Sequence, residues 1–374
     1  MRAVTLSLLL VSMPLSAAQA QELIPLPTEE TSASHWLVGG DYVLWWLRRA
    51  AVPVVLTTGP AGSTGVLGQP GTQIVYGDER LPTRHGDRFF GGRVAVEWQG
   101  DGWALEGRAF FLERDSTYFT IKPVDSLLAL SFLDANTNQE TSEVVAGFDP
   151  QRGPLRGGFV GYSRIELFGE EANGVLRLDE GEDWKVDLLV GARFLQMRDR
   201  YHHTATSRSL PDLATIWGVV DNYRIHNAYY GGQIGLRGDY RLGRFHLDGR
   251  LTAGLGANSQ LVRTFGNRVF HNPQIRLQTT TGLFVQPSNR GRFRRTDLDS
   301  VGELACNIGY DVTTCMRLVF GYTFLYWADP IRAASQLDRV INQQQPDGPA
   351  RPALPWKGEA FWAQGINLGL HFRW

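Results

Sequence analysis

The chain has 374 residues, 43% hydrophobic, 11% aromatic and 20% charged, with 42 Gly and 2 Cys. That composition excludes a disordered, collagen-like or disulfide-rich protein. A formal net charge of −1 supplies no bulk field to draw the chain to nucleic acid, so no nucleic-acid partner is expected.

Residues 1–20 read as a secretory signal. Arg2 gives a positive start, Ala3 to Leu15 an apolar core, and Ala18-Gln19-Ala20 a small-x-small cleavage site. The mature chain is expected to start at Gln21. No later run approaches the ~18 apolar residues of a membrane helix. Residues 21–34, with Pro25 and Pro27, read as a periplasmic lead-in, and residues 35–374 as one β-domain.

The first strand is His35–Leu47, with Trp36, Val38, Gly40, Tyr42, Leu44 and Trp46 on one face. After a Gly/Pro-rich loop (Arg48–Asp87) comes a hairpin. Phe90, Gly92, Val94, Val96 and Trp98 lead into the turn Gly100-Asp101-Gly102. Trp103, Leu105, Gly107, Ala109 and Phe111 lead out of it. A loop over Arg114–Tyr162 follows. In the fourth strand the apolar parity is odd at Ile165 and Leu167 and even at Ala172, Leu176 and Leu178, which predicts a β-bulge or break near Gly169. The fifth strand carries Trp184, Val186, Leu188, Val190, Ala192 and Phe194 on one face. A third loop spans Arg198–Asn227. Strands six and seven are joined tightly at Leu242–Gly243, with Tyr230, Ile234, Leu236 and Tyr240 matched by Phe245, Leu247, Leu251 and Leu255. The fourth loop, Asn258 to Thr296, has room for a further hairpin near Leu261–Val285, which would raise the count to twelve. Strand eight (Leu298, Leu304, Ile308, Tyr310) turns near Val312–Thr313 into strand nine (Met316, Leu318, Phe320, Tyr322, Phe324, Tyr326). A proline-rich loop, Ala328–Glu359, precedes the last strand. There Ile366, Leu368, Leu370, Phe372 and Trp374 alternate with small or polar residues to the final position.

Ten strands with alternating short turns and long loops predict an antiparallel transmembrane β-barrel of the outer membrane, with short periplasmic turns and long extracellular loops. The last strand closes on the first, which removes both edges. The runner-up is a soluble secreted β-protein. Strands of about 11–14 residues are too long for it, since soluble strands average ~5–6. Aromatic residues also gather at both strand ends. Trp98, Trp103, Trp184, Tyr240, Tyr310 and Trp374 mark the short-turn end, and Trp46, Phe111, Tyr230, Tyr326, Trp327 and Trp362 the long-loop end.

By the same parity the lumen receives Arg93, Arg108, Lys185, Arg193, Arg237, Arg241, Arg244, Arg250, Arg317 and Arg373, facing Glu97, Glu106, Asp187, Asp239, Asp248, Asp297, Asp299 and Glu303. Near balance in a crowded interior predicts a charge network that plugs the barrel. A narrow Arg-lined pore is the alternative. Cys306 and Cys315 fall on opposite faces, against a disulfide. No phosphate-binding loop or nucleophile elbow is present. Gly231-Gly232-Gln233-Ile234-Gly235 reads as strand packing. His202-His203 makes a poor metal pair, and Asp212, Asp221 and His226 have no spacing that compels catalysis. No cofactor, metal or enzymatic activity is expected. Ser288–Arg295, with four arginines, reads as a solvated loop or a site for anionic headgroups or surface polysaccharide.

Several stretches in order resemble the BBP7-type β-barrel porin family. They are DYVLWWL (Asp41–Leu47), VVLTTG (Val54–Gly59), GVLG (Gly65–Gly68), GGR (Gly91–Arg93), EAN (Glu171–Asn173), YYGGQIGL (Tyr229–Leu236), PSNRGRF (Pro287–Phe293), GYTFLYW (Gly321–Trp327) and QLDRVIN (Gln336–Asn342). Arg332-Ala333-Ala334 stands where the family's pattern has Arg-Pro-Gly, so that loop is expected to be less fixed. The resemblance implies an outer-membrane barrel and carries over no catalytic residues. Membrane lipids and the outer-membrane assembly machinery are the expected partners, with a small solute or a surface polysaccharide left open. The functional expectation is a porin-like or structural barrel, with a surface-binding protein acting through its long loops as the second class.

Overall fold

The computed structural model describes residues 35–78 and 88–374. The expected signal and lead-in lie outside the described residues, as does the end of the first loop. Ten strands form the ring: β1 (His35–Leu47), β2 (Arg88–Gln99), β3 (Trp103–Leu112), β4 (Gly153–Glu180), β5 (Trp184–Ser209), β6 (Ile216–Leu242), β7 (Phe245–His271), β8 (Gly291–Asp311), β9 (Met316–Trp327) and β10 (Phe361–Arg373). Each pairs antiparallel with its neighbours in order. β10 returns to β1, from Leu37↔Arg373 to Leu47↔Ala363. The ring is therefore closed, and no barrel edge is left to be satisfied inside lipid.

The apolar residues of the alternating pattern point outward. Tyr42, Val94, Leu105, Ile234, Leu251, Leu255 and Leu368 are all more than half exposed. In water such a surface would be unfavourable; against lipid tails it is the stable arrangement. The short turns fall where expected. Gly102 and Gly243 adopt left-handed φ of 71° and 61°, which a Cβ would strain.

The long-loop side differs from its expected irregular form. β4 to β7 run for 26 to 28 residues, against the ~9–11 that a tilted strand needs to cross. They rise past the lipid as a paired wall. Along β5 the outward residues are Val186, Leu188, Val190, Ala192 and Phe194, and then Gln196, Arg198, Arg200, His202, Thr204 and Thr206. The inward residues become apolar at the same level: Leu195, Met197, Tyr201 and Ala205 are buried. The medium outside changes from lipid to water, and the apolar face changes sides with it.

The same change explains β4. Its inward parity is continuous through Ile165, Leu167, Gly169, Glu171, Asn173 and Val175, so the expected bulge at Gly169 is absent. The irregularity in that pair lies instead between Val186 and Asp187. The expected extra hairpin near Leu261 is β7 running on to His271, with Arg276–Thr279 folding back on it. It adds nothing to the ring.

Above the barrel, Leu56–Thr58, Gln73–Tyr76, Leu128–Asp134, Glu140–Asp149 and Val340–Ile341 build a small second sheet. Its core joins Leu56, Leu130 and Phe132 to Phe159, Tyr201, Tyr223, Val262 and Phe284 of the barrel wall and its loops. Within it Tyr76 stacks on Phe119 at 4.7 Å. Burial raises the Tyr76 hydroxyl above its ordinary pKa.

Leu251 lies opposite Leu236 and Leu304 in the apolar band, whereas Thr206 is outward on β5 above it. Leu251→Arg is expected to lower unfolding free energy in bilayers by about 2–4 kcal/mol. Thr206→Arg should change it by less than about 0.5 kcal/mol. Urea titration after refolding into vesicles measures both.

Candidate functional site: the barrel lumen

Ten strands leave an interior that side chains can fill, and it is filled in layers. At the short-turn end a cavity of about 270 Å³ is lined by Asp41, Ala95, Glu97, Lys185, Arg237 and Asp248 among others. His371 Nε2 lies 3.0 Å from Asp41 Oδ1 and His246 Nε2 lies 2.9 Å from Asp311 Oδ2. Arg317 Nε donates to Asp311 at 2.7 Å, and Asn307 Nδ2 to Asp248 at 2.6 Å.

Deeper in, Arg237 bridges Glu97 and Asp187, reaching Asp187 Oδ2 at 2.8 Å. Arg177 takes the other Asp187 oxygen at 2.6 Å. The next layer centres on Glu171. Its carboxylate lies 2.6 Å from Arg193, 3.1 Å from Arg108 and 3.2 Å from Arg250, and accepts from Gln233 at 2.9 Å. Arg250 Nη1 also reaches both Glu106 oxygens, at 2.7 and 2.8 Å, and Arg193 lies 3.0 Å from Glu303. Arg93 donates to Thr323 Oγ1 at 3.2 Å and lies over the Trp45 ring.

Above the charges is an apolar layer. Val43, Trp45, Phe110, Leu167, Leu195, Met197, Tyr229, Leu325, Trp327, Phe361 and Ala363 are buried in one cluster spanning the lumen. The two indoles are anchored by polar partners, Trp45 Nε1 to Asn367 at 2.9 Å and Trp327 Nε1 to Asp299 at 2.7 Å. Gly231 is needed here, because a Cβ would meet the Tyr229 hydroxyl at 2.1 Å. The glycines of this stretch serve packing, as expected from their place in a strand. The final loop caps the layer. Arg332 Nε donates to Asp199 at 2.7 Å, Ala333 N donates to the same oxygen at 3.0 Å, and Asn227 brackets Ile331 at 2.8 and 3.0 Å. The expectation of a less fixed loop at Arg332-Ala333-Ala334 is therefore corrected: all three residues are buried.

Of the residues assigned to the lumen from parity, Arg93, Glu97, Glu106, Arg108, Asp187, Arg193, Arg237, Arg250 and Glu303 lie together in the inner layers. Lys185, Asp239, Asp248, Arg317 and, exposed at its mouth, Arg373 line the cavity below. Four assignments need correction. Arg241 and Arg244 are exposed at the tight turn, where the chain leaves the barrel. Asp297 pairs with Arg295 at the outer end. Asp299 belongs to the apolar layer as the Trp327 acceptor. Trp327 itself, expected in the outer aromatic ring, points inward. Sequence reasoning missed Glu171, Asn173 and Arg177, because the apparent parity break obscured β4. It also missed the apolar layer, whose signal is a strand end with both faces apolar, as in VLWWL and FLYW.

The other candidates are dispersed. Asp221 is buried and accepts from the Leu283 and Val285 amides at 3.1 and 2.7 Å, with His203 Nε2 at 3.2 Å. It clasps a loop. Asp212 caps the β5–β6 turn, and His226 faces outward. Cys306 and Cys315 are both free. Among the described residues no His/Cys/Asp/Glu group could hold a metal ion.

A family described as "Putative beta barrel porin-7 (BBP7)" matches residues 37–374. The chain belongs to this family. Its members are described as β-barrel porins, and this chain is an outer-membrane protein. Among solved structures it is similar to the outer membrane protease OmpT of Escherichia coli, at 12% identity over 90% of this chain and 97% of that one, with a TM-score of 0.35. It is also similar to the toluene transporter TodX of P. putida (10%, 91% and 89%, TM-score 0.19) and to a Pseudomonas aeruginosa FadL homologue (7%, 91% and 90%, TM-score 0.22). No curated protein matches.

Glu171 and Glu170 are neighbours with opposite surroundings: the first serves three guanidinium groups, the second is exposed on the outer face. Glu171→Gln is expected to cost about 3–5 kcal/mol of unfolding free energy, because it leaves buried charges uncompensated. Glu170→Gln should cost less than about 0.5 kcal/mol. Equal effects in the same urea titration would contradict the lumen assignment.

Proposed function

We propose that this BBP7-family barrel is a structural, non-conducting and non-enzymatic outer-membrane protein whose lumen is plugged by the charge network and the apolar layer above it. The supporting observation is that apolar layer. Trp45, Trp327, Leu195, Leu325 and Phe361 are fully buried across the passage, and hydrated ions do not cross a packed apolar section without opening it. The guanidinium groups below are paired with carboxylates, so they offer a passing anion little free positive charge. The closing strand, ending at Phe372 and Trp374, is proposed as the signal read by the outer-membrane assembly machinery.

A surface-binding role is the second reading. It is favoured by the cap, because loops that only sealed the barrel would not need a sheet with its own core.

Refolded protein in planar bilayers is expected to give no stepped conductance at moderate voltage. Reproducible single-channel steps from heat-modifiable, folded protein would overturn the reading in favour of the narrow Arg-lined pore.

A further inference from the structure

The outward face of the barrel wall above the lipid carries an arrangement that the lumen reading does not use. Arg164 on β4 stands directly opposite Arg200 on β5, which stands opposite Arg224 on β6, then Arg263 on β7, then Arg292 on β8. Five guanidinium groups thus form one cross-strand row, about 4.8 Å apart at the backbone. All five positions have outward parity, and Arg224, Arg263 and Arg292 are exposed.

Like charges directly opposite one another on a sheet are destabilising, and little in the chain compensates them. Arg164 lies 3.3 Å from Glu166, a carboxylate also approached by Arg114 and Arg198. Among the described residues Arg224 has the Asn222 amide oxygen and the Phe265 ring. Among the described residues no carboxylate lies at ion-pair distance from Arg200, Arg263 or Arg292. Arg198 and Arg294, in the row beneath, extend the same surface toward the lipid. The stretch Ser288–Arg295 is split by this geometry. Arg292 and Arg294 join the outward surface, Arg290 bonds Thr280, and Arg295 turns to Asp297 and the Trp356 ring.

The height of the row identifies what would neutralise it. The last apolar row across β5 to β8 is Phe194, Tyr230, Ala257 and Leu298; on β4 Glu170 joins this row and Phe168 stands one outward position higher. The arginine row is three outward positions, or six residues, further up. At ~3.4 Å per residue and a ~40° tilt this is ~15 Å above the apolar band. A phospholipid headgroup zone is only ~5–8 Å deep. Phosphate groups on the sugars beyond the acylated ones of a glycolipid reach this height. Directly above the arginines, Tyr118, Tyr162 and His202 lie in series with tilted rings, their centroids 4.8 Å apart at each step, and Tyr118 is exposed. An exposed aromatic ring of this kind suits a sugar.

We infer that the outward face of β4 to β8 is a binding surface for a phosphorylated glycolipid of the outer leaflet, its phosphates on the row Arg164, Arg200, Arg224, Arg263 and Arg292. The full chain, refolded in detergent, is titrated with a short-core lipopolysaccharide that carries phosphate on its core sugars and with the same glycolipid lacking the core phosphates, and retained lipid is counted by native mass spectrometry. Wild type is expected to retain the first at least tenfold better than the second. Arg200→Gln/Arg224→Gln/Arg263→Gln should lose at least tenfold, and the corresponding triple Lys variant should keep most of the binding. If the triple Gln variant does not refold to a heat-modifiable form, the single Arg263→Gln variant is expected to lose severalfold. Equal retention of the two lipids, or undiminished binding by the Gln variants, would overturn the inference. So would equal binding of the deacylated phosphorylated sugar, since the partner would then be a free glycan.

Discussion

Every backbone amide and carbonyl within lipid must find its partner in the protein, and here that requirement is met by closing β10 on β1. The rest follows from it. Ten strands fix a ring whose interior holds side chains and little else. Side chains crowded there away from bulk water must satisfy one another. Charges near the centre can persist only as hydrogen-bonded pairs, and Glu171 shared among Arg193, Arg108 and Arg250 is the densest example. Further out the interior gives up polarity and becomes a packed apolar section held by two anchored tryptophans. On the reading proposed above, the buried arginines are components of a filled interior.

The same ring explains the unequal ends. On the periplasmic side the strands stop at tight turns, and a charged cavity remains open to that compartment. On the outer side β4 to β7 keep their pairing well beyond the lipid. Their inner faces then need covering, and the cap sheet and the last loop supply the cover. Arg332 and Asp199 tie that loop down at the top of the lumen. Loop, cap and barrel therefore form one continuous packing arrangement.

Period-2 alternation made the fold legible from sequence, because the lipid on one side and the filled lumen on the other impose opposite demands on successive residues. His35–Leu47 could be read to its observed bounds, and the closing strand to within a residue of its C-terminal end. Alternation failed where the outer medium changes. In β4 the odd positions Ile165 and Leu167 are apolar because they enter the inner apolar layer. The even positions Leu176 and Leu178 are apolar because they meet lipid. A switch of parity is the signature of a strand leaving the membrane while remaining paired, and reading it as a bulge hid Glu171 and Arg177. Strand ends such as VLWWL, apolar on both faces, carried the signal of the inner layer. Which lumen charges lie deep and which lie at the mouth depends on position along the strand, which parity does not contain. Arg193 is buried whereas Arg241 and Arg373, of inward parity too, are exposed.

The most direct test of a sealed lumen is its accessibility from each side. In a Cys306→Ser/Cys315→Ser background, Ala95→Cys places one thiol on the wall of the short-turn cavity, below the charge layers. With the protein inserted in one orientation, a membrane-impermeant thiol reagent should label this position from the periplasmic side and leave it unlabelled from the outer side. Comparable labelling from the outer side would mean that the passage is open and the apolar section does not close it.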